Sequence, residues 1–392
     1  MSPAIRIIYL LHFFNDGIRT AFVSLLPFIA KDLHLGFGLI GLLGSAQGVL
    51  GFLLALPAGM LTARFSGFSL LLISLLVYSL GAGAIGFAQN VYALIPIFFV
   101  AVSGFGIFHI VSLALTARAS TPEARGKNMG NFAAFGDIGR TFIPTVAVFV
   151  VVFIGWRQTF FSLSVIGLLL FCSIGYFLYS RHRKLLEKKV VQKNETYRTW
   201  LSTAYLLLKD KKLVLVITAG FLDGIAGTPV IIFLPFFLLG VGIAPQMLSI
   251  FIGAYFIGSL AGKTLLGRLA DRIGSAKVFL VTEMCMAITL LSLAFLTHFY
   301  TLLALSLLLG LFTRGTTPVI ATLLSEVVHD DHLEKAYAVC MLFLEFTAII
   351  APILLGIVAD RLGVSTIFYI ASFFAAIAAV PILFFIRENK RK

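Results

Sequence analysis

Two short stretches of this chain both begin with Asp-Gly-Ile and end with Leu-Pro-Phe: "DGIRTAFVSLLPF" at residues 16–28 and "DGIAGTPVIIFLPF" at residues 223–236. Each places an aspartate inside an otherwise apolar run. A second pair has almost the same separation, because "GMLTARFSG" starts at Gly59 and "GRLADRIGS" starts at Gly267. Similarity at one fixed spacing indicates an internal repeat. We therefore predict two halves of similar structure in the same orientation, an arrangement known from membrane transporters.

The composition places both halves in a membrane. Apolar residues make up 60% of the chain and charged residues 12%, whereas soluble domains have about 25% charged residues. A membrane span needs about 20 mainly apolar residues, and the chain contains twelve such runs. Their approximate bounds are 5–31, 36–63, 68–89, 91–117, 128–154, 157–180, 212–238, 244–267, 276–297, 300–326, 336–359 and 364–386. The sequence predicts an all-α membrane protein with twelve transmembrane helices in two pseudo-symmetric six-helix bundles.

Basic residues predict the orientation of these spans. A polar segment at 181–211 separates an N-terminal bundle at 1–180 from a C-terminal bundle at 212–392. With the N-terminus inside, nearly all Lys and Arg residues of the loops fall on the cytoplasmic side, as the positive-inside rule requires. We expect a multi-pass protein of a bacterial inner membrane with both termini cytoplasmic. The formal charge of +13 is thus explained by topology, and no nucleic-acid partner is predicted.

Seven charged residues fall near the middle of the predicted spans. A charge at mid-membrane costs about 2.5–3.5 kcal/mol on insertion scales, and such residues normally face a cavity or a partner. At 1.5 Å per residue, the four acids lie about 13–17 Å from the cytoplasmic ends of their runs. The acids are Asp16, Asp137, Asp223 and Glu345, and the arginines at similar depth are Arg19, Arg140 and Arg314.

Two of the acids have an arginine three residues later on the same helix. Asp16 precedes Arg19, and Asp137 precedes Arg140. Residues at this spacing share a helix face and can neutralise each other. We expect Asp16 and Asp137 to contribute to proton coupling and both arginines to contribute to substrate binding. The alternative is that each pair is a structural ion pair that sets only the packing.

The other two acids have no such neighbour, and they are the leading candidates for proton carriers. Asp223 and Glu345 lack Lys or Arg at three or four residues. A carboxyl group that is neutral when occluded and charged when hydrated can couple proton movement to a conformational change. The alternative is a permanently protonated packing residue. Arg314 has no acid at these spacings on its own helix, so it is expected to pair across a cavity or to bind a substrate anion.

Three further polar residues are weaker candidates for substrate binding. His109 on the fourth run can titrate or bind substrate, although a hydrogen-bonded structural histidine is the alternative. Gln47 and Tyr255 occupy matching positions of the two halves and are expected to line the cavity. Glu283 lies on the ninth run, which we assign to an outer helix with a partner near the loop.

The chain resembles the major facilitator superfamily. The stretch "GRLADRIGSAK" at residues 267–277 is similar to the loop signature G-x-L-A-D-R-x-G-R-[KR] of that family. The resemblance implies a twelve-helix transporter with a cytoplasmic charge latch. The residues onto which it carries the latch are Gly267, Arg268, Asp271, Arg272 and, in the first half, Arg64.

The resemblance does not settle the subfamily. Glycines on the fourth and fifth runs are similar to those of drug–proton antiporters, but Val100 stands where those proteins carry an arginine. The stretch "FVSLLPFIAKDL" at residues 22–33 resembles Spinster-type lipid carriers.

We therefore predict a proton-coupled secondary transporter that works by alternating access. The favoured activity is export of a small amphipathic or zwitterionic organic compound by proton antiport. Uptake of an organic anion by proton symport, lipid or lysolipid carriage, and a receptor-like role without transport are the alternatives. No P-loop, metal-ligand spacing or nucleophile triad is present in the sequence, so we expect no enzyme activity and no cofactor. We expect a monomer whose partners are the substrate, protons and the bilayer.

Overall fold

The computed structural model describes residues 3–121, 124–183, 205–293 and 295–389, and within these ranges the chain is helical without strands. The helices in order are α1 (Pro3–Ser24), α2 (Leu26–Leu33), α3 (Phe37–Arg64), α4 (Gly67–Gly86), α5 (Val91–Ala119), α6 (Arg125–Arg181), α7 (Lys211–Gly240), α8 (Leu248–Ile273), α9 (Ser275–Leu293), α10 (Phe299–Val327), α11 (Asp330–Leu362) and α12 (Ser365–Asn389). Nine helices of the described ranges are long and apolar enough to cross a membrane. The predicted fold class is confirmed.

The observed helices differ from the predicted runs at two positions. The first run is divided at Leu25, because Pro27 stands in the first turn of α2 and cannot donate a backbone hydrogen bond. Conversely, the fifth and sixth runs form the single element α6, which bends at Gly155. Gly155 has a φ of 81°, a conformation that side chains with a Cβ rarely adopt. Allowing for both positions, the helices correspond to the twelve predicted runs.

The described chain divides into two compact units. The first contains residues 1–35 and 43–193, and the second contains residues 36–42 and 194–392. In the first unit α4 packs against α5 and α6, and α1 packs against α6. In the second unit α9 packs against α10 and α12, while α7 packs against α11 and α12. The same order of helix contacts thus recurs in each half, as the sequence repeat predicts. The boundary at 181–211 stays a prediction, since much of that segment lies outside the described residues.

The start of α3 groups with the second unit because a carboxylate of that unit caps it. Asp360 of α11 accepts hydrogen bonds from the backbone amides of Phe37, at 2.5 Å, and Gly38, at 2.9 Å. The first amides of a helix have no partner within the helix. A carboxylate therefore stabilises this end through both hydrogen bonds and the helix dipole.

A charged contact fixes the bend of α6 within the first unit. Arg157 Nη1 lies 2.6 Å from Asp32 Oδ2, and Trp156 Nε1 donates to the same oxygen at 3.2 Å. Arg157 also donates to the carbonyl of Ala88 at 3.1 Å. Asp32 lies beyond the end of the first predicted span. The hydrogen bond from Arg157 lowers the pKa of Asp32 below its ordinary value.

We expect Asp32→Asn to lower the melting temperature of the purified protein at neutral pH. The effect should be at most a few degrees, because partly exposed ion pairs contribute about 1 kcal/mol or less. A carboxyl with a depressed folded-state pKa stabilises the protein above its unfolded-state pKa, and this stabilisation is lost as the pH falls through the folded-state pKa. The difference between wild type and variant should therefore shrink in acid. A difference that stays constant from neutral to acidic pH would contradict this assignment.

Candidate functional site

The first unit contains a carboxylate with no exposed surface. Asp16 is completely buried in α1, and cationic or titratable groups approach it from several helices. Arg140 Nη2 of α6 lies 2.5 Å from Asp16 Oδ2. His109 Nε2 of α5 lies 2.8 Å from Oδ1, and His12 Nε2 lies 3.2 Å from Oδ2. We call these four side chains the Asp16 cluster.

The position of the proton on His12 follows from its second contact. His12 Nδ1 lies 2.7 Å from the carbonyl oxygen of Phe132, and a carbonyl can only accept, so Nδ1 carries a hydrogen. A neutral His12 then presents a bare nitrogen to Asp16, which is a contact between two acceptors. A proton between Nε2 and Oδ2 turns this contact into a charge-assisted hydrogen bond. The cluster thus has a defined place for one additional proton.

Arg140 connects two acids, and this differs from the predicted pairing. Its Nη1 lies 3.2 Å from Asp137 Oδ1, which confirms the pair predicted within α6. The pair predicted between Asp16 and Arg19 does not occur among the ion pairs of the described side chains, where Asp16 contacts Arg140 and the two histidines. Spacing along one helix could not anticipate this, since Arg140 comes from a neighbouring helix. About a quarter of the Arg140 side chain remains exposed, so the cluster is only partly enclosed.

Glycines allow α1 and α6 to approach closely enough to form the cluster. A Cβ on Gly17 would lie 2.8 Å from the carbonyl oxygen of Gly139, so neither helix has room for a larger side chain there. A Cβ on Gly136 would lie 2.8 Å from His12 Nε2 and 2.9 Å from Asp16 Oδ2. The absence of a side chain at Gly136 therefore leaves the space that the His12–Asp16 contact occupies.

The cluster also has the donor types of a metal site. The ligand atoms of His12, Asp16 and His109 lie within 4.8 Å of one another. The guanidinium of Arg140 already holds the same carboxylate at 2.5 Å. A divalent cation would have to share Asp16 with that fixed positive charge, so the arrangement suits a proton better than a metal ion.

The second unit places Asp223 in a different environment. Asp223 of α7 is 7% exposed and accepts a hydrogen bond from Thr316 Oγ1 of α10 at 3.1 Å. Its carboxyl group also meets that of Glu283, while Arg314 acts on it at longer range. The expected loop-side partner of Glu283 is therefore wrong, because this residue is fully buried beside Asp223. Sequence reasoning missed His12, although it lies one helical turn before Asp16, and it assigned the wrong partner to Glu283, which lies in the middle of α9.

The remaining candidates differ in burial. Glu345 is exposed, and Arg314 is half-buried. Tyr255, predicted to line a cavity, is completely buried, and its hydroxyl lies 3.0 Å from Thr313 Oγ1. A Cβ on Gly310 would clash with the Tyr255 backbone, so close helix packing encloses this tyrosine. The side chain of Gln47 lies outside the described residues.

The predicted latch is not assembled as an ion-pair cluster in this structure. Asp271, Arg268 and Arg272 are all exposed at the end of α8, and no ion pair between them occurs among the described side chains. Gly267 lies close to Pro318. Arg64 lies outside the described side chains, so the latch stays a prediction.

Comparison with known proteins places this geometry in a family context. The family model described as Major Facilitator Superfamily matches residues 8–237 and 216–392, and so covers both halves. The chain is 27% identical over 174 residues to the multi-drug resistance efflux pump PmrA of Streptococcus pneumoniae, covering 43% of each chain. It is 41% identical over 93 residues to the putative niacin/nicotinamide transporter NiaP of Bacillus subtilis, covering 24% of this chain and 22% of that protein. The chain thus matches less than half the length of these curated relatives.

Solved structures show the same fold over nearly the whole chain. A bacterial homolog of the human lysosomal transporter Spinster, in an inward-facing and occupied conformation, superimposes with a TM-score of 0.79 at 12% identity and covers 99% of this chain and 98% of its own. The nucleoside transporter NupG superimposes with a TM-score of 0.80 at 14% identity, covering 98% and 99%. Identities this low show the fold alone. Since the family model matches both halves, the chain belongs to the Major Facilitator Superfamily of membrane transporters.

Proposed function

We propose that this protein exports small amphipathic organic compounds in exchange for protons, and that the Asp16 cluster is its main coupling site. The observation that carries the proposal is the complete burial of Asp16 against Arg140 and two histidines. A carboxylate in the membrane interior is expensive and is typically functional. The name of the similar PmrA, a multi-drug resistance efflux pump, supports export over uptake.

The coupling would operate through the shared arginine. Arg140 contacts Asp16 with one nitrogen and Asp137 with the other. When a proton neutralises Asp16, the attraction on Nη2 weakens and the guanidinium remains bound by Asp137 alone. When Asp16 is ionised, it draws Arg140 toward itself, and the partly exposed carboxylate of Asp137 can attract a cationic group of a substrate. Proton and cationic substrate therefore oppose each other's binding through the one arginine, which is what antiport requires.

The arginines favour one second candidate, uptake of an organic anion by proton symport. Arg140 keeps part of its surface exposed, and a guanidinium binds a carboxylate with two parallel hydrogen bonds. In this alternative, protonation of Asp16 would release Arg140 for the substrate, so proton and anion would bind together. The direction of substrate movement in an imposed pH gradient separates the two candidates.

The remaining expectations join the proposal. We propose a monomer in a bacterial inner membrane with both termini cytoplasmic, because the Lys and Arg residues concentrate in the loops on that side. Lipid carriage has weaker support, since similarity to the Spinster homolog at 12% identity concerns the fold. Arg19, Arg314 and His109 stay proposed substrate contacts, and Glu345 stays a proposed proton carrier.

We expect Asp16→Asn to abolish proton-driven transport while leaving exchange without a gradient. The amide resembles a protonated carboxyl in shape and cannot change charge. In proteoliposomes loaded with the lipophilic cation ethidium, the pH-driven flux of the variant should be at least about tenfold lower than that of the wild type, a ratio that corresponds to 1.4 kcal/mol. The matched control is Asp210→Asn, which changes an aspartate that caps α7 into another good cap. Equal pH-driven flux in wild type and Asp16→Asn would refute the coupling role.

We expect Gly136→Ala to disturb the cluster without removing any charged group. The added methyl group would overlap the His12–Asp16 contact, and overpacking of this kind costs about 1–3 kcal/mol. Gly130→Ala is the matched control, since a Cβ there meets no atom within 4 Å on the same helix α6. Both variants gain a similar helix propensity. Gly136→Ala should therefore melt lower than Gly130→Ala and shift the pH optimum of flux, and identical behaviour would show that the contact is unimportant.

A further inference from the structure

Glu283 is a buried acid that the proposed coupling site does not use. It lies in the middle of α9 and has no exposed surface. Neither of its carboxylate oxygens has a hydrogen-bond donor within the described part of the chain. An ionised carboxylate in this position would lack both solvent and partners, which costs far more than an ordinary unsatisfied polar group. The structure must therefore supply a proton or a cation to this residue.

The neighbouring acid, Asp223, also has a carboxyl oxygen without a hydrogen-bond donor among the described side chains. Thr316 donates to Asp223 Oδ2, while Oδ1 is buried and receives no hydrogen bond there. The carboxyl groups of Asp223 and Glu283 meet side chain to side chain. Three carboxyl oxygens thus lack donors in one place, where two adjacent negative charges would repel strongly.

We propose that Asp223 and Glu283 form an acid pair that binds one exchangeable proton in the second unit. The proton lies between Asp223 Oδ1 and a carboxyl oxygen of Glu283, so that one acid donates a hydrogen bond to the other. Carboxyl groups in contact share a proton in this way because ionising both in the occluded site costs much free energy. Binding and release need no other reactant: one O–H bond forms or breaks, and the pair carries one negative charge or two.

The surroundings balance the charge of the singly protonated pair. Arg314 of α10 is the cation whose field reaches Asp223. Lys263 of α8 and Glu345 of α11 also carry charge within helices of this unit, each with an interaction of its own. One negative charge on the pair and one positive charge on Arg314 make the site nearly neutral. Loss of the shared proton would leave a net negative charge in the membrane interior, which a conformational change toward water could relieve.

The acid pair makes this a transporter with two proton sites, one in each unit. Its role in transport rests on the proposed function, but its proton does not, since binding can be measured without substrate. With both sites active, the number of protons exchanged per substrate would exceed that of a carrier with the Asp16 cluster alone. This would increase the gradient that the protein can sustain.

Infrared difference spectroscopy of the purified protein tests the pair directly. At neutral pH the wild type should show the C=O stretch of a protonated carboxyl group, with the shift in D₂O that marks an exchangeable proton. Glu283→Gln should remove that band, because Asp223 alone can ionise with the hydroxyl of Thr316 as a donor. Asp223→Asn should shift the frequency of the band, because the buried Glu283 keeps its proton and loses its acidic partner. Glu326→Gln is the matched control: Glu326 of α10 accepts a hydrogen bond from Ser275, is exposed, and should leave the band unchanged. Persistence of an unchanged band in both pair variants, or its absence from the wild type, would overturn the proposal.

Two further measurements distinguish loss of the shared proton from misfolding and from binding of a metal cation. If Glu283→Gln is not recovered from the membrane, Glu283→Asp keeps a carboxyl group at a shorter reach, and the band should move instead of vanishing. Exchange of choline for Na⁺ at constant ionic strength should leave the band unchanged, whereas its loss in Na⁺ would assign the pair to a metal cation. The Asp16→Asn flux experiment decides the proposed function separately, so failure of either proposal is visible without the other.

Discussion

The ion pair between Asp16 and Arg140 is the contact on which the first unit depends most. A carboxylate without exposed surface can stay ionised in a membrane interior only beside a cation at contact distance, here 2.5 Å away. Breaking such a pair by removing one partner typically costs about 3–5 kcal/mol. This contact requires α6 to lie close to α1, and the close approach in turn requires small residues between the two helices. Helix packing and charge neutralisation therefore depend on each other in this half.

The same constraint makes the site able to switch. An ion pair that only neutralises charge needs two side chains. Here Asp16 contacts Arg140 and two histidines, and Arg140 also contacts Asp137. Arg140 can therefore bind either of two acids. In the proposed coupling, the two arrangements of Arg140 would differ by one proton on Asp16, so that protonation would shift the population between them.

The sequence predicted the fold much better than the partners of the charged residues. Run length, repeat spacing and composition can be read directly from the sequence, so the helix order and the helices that carry Asp16 and Asp223 could be predicted. Contacts between helices could not, because a helix of 3.6 residues per turn presents Arg19 and Asp16 on one side without revealing what faces them. Glu283 was assigned to an outer helix, and only the packing of α9 shows that its side chain points to Asp223.

The two halves use one scaffold for two kinds of buried acid. Asp16 and Asp223 begin the same repeated motif, and each receives a polar partner from the fourth span of its half, His109 or Thr316. The first half adds a guanidinium, which favours the ionised acid. The second half adds Glu283, which favours one shared proton. Because corresponding helices pack together in both halves, this difference arises from single side chains at the contacts and not from the fold. A carrier built in this way can tune its two proton sites independently, since each depends on neighbours within its own unit.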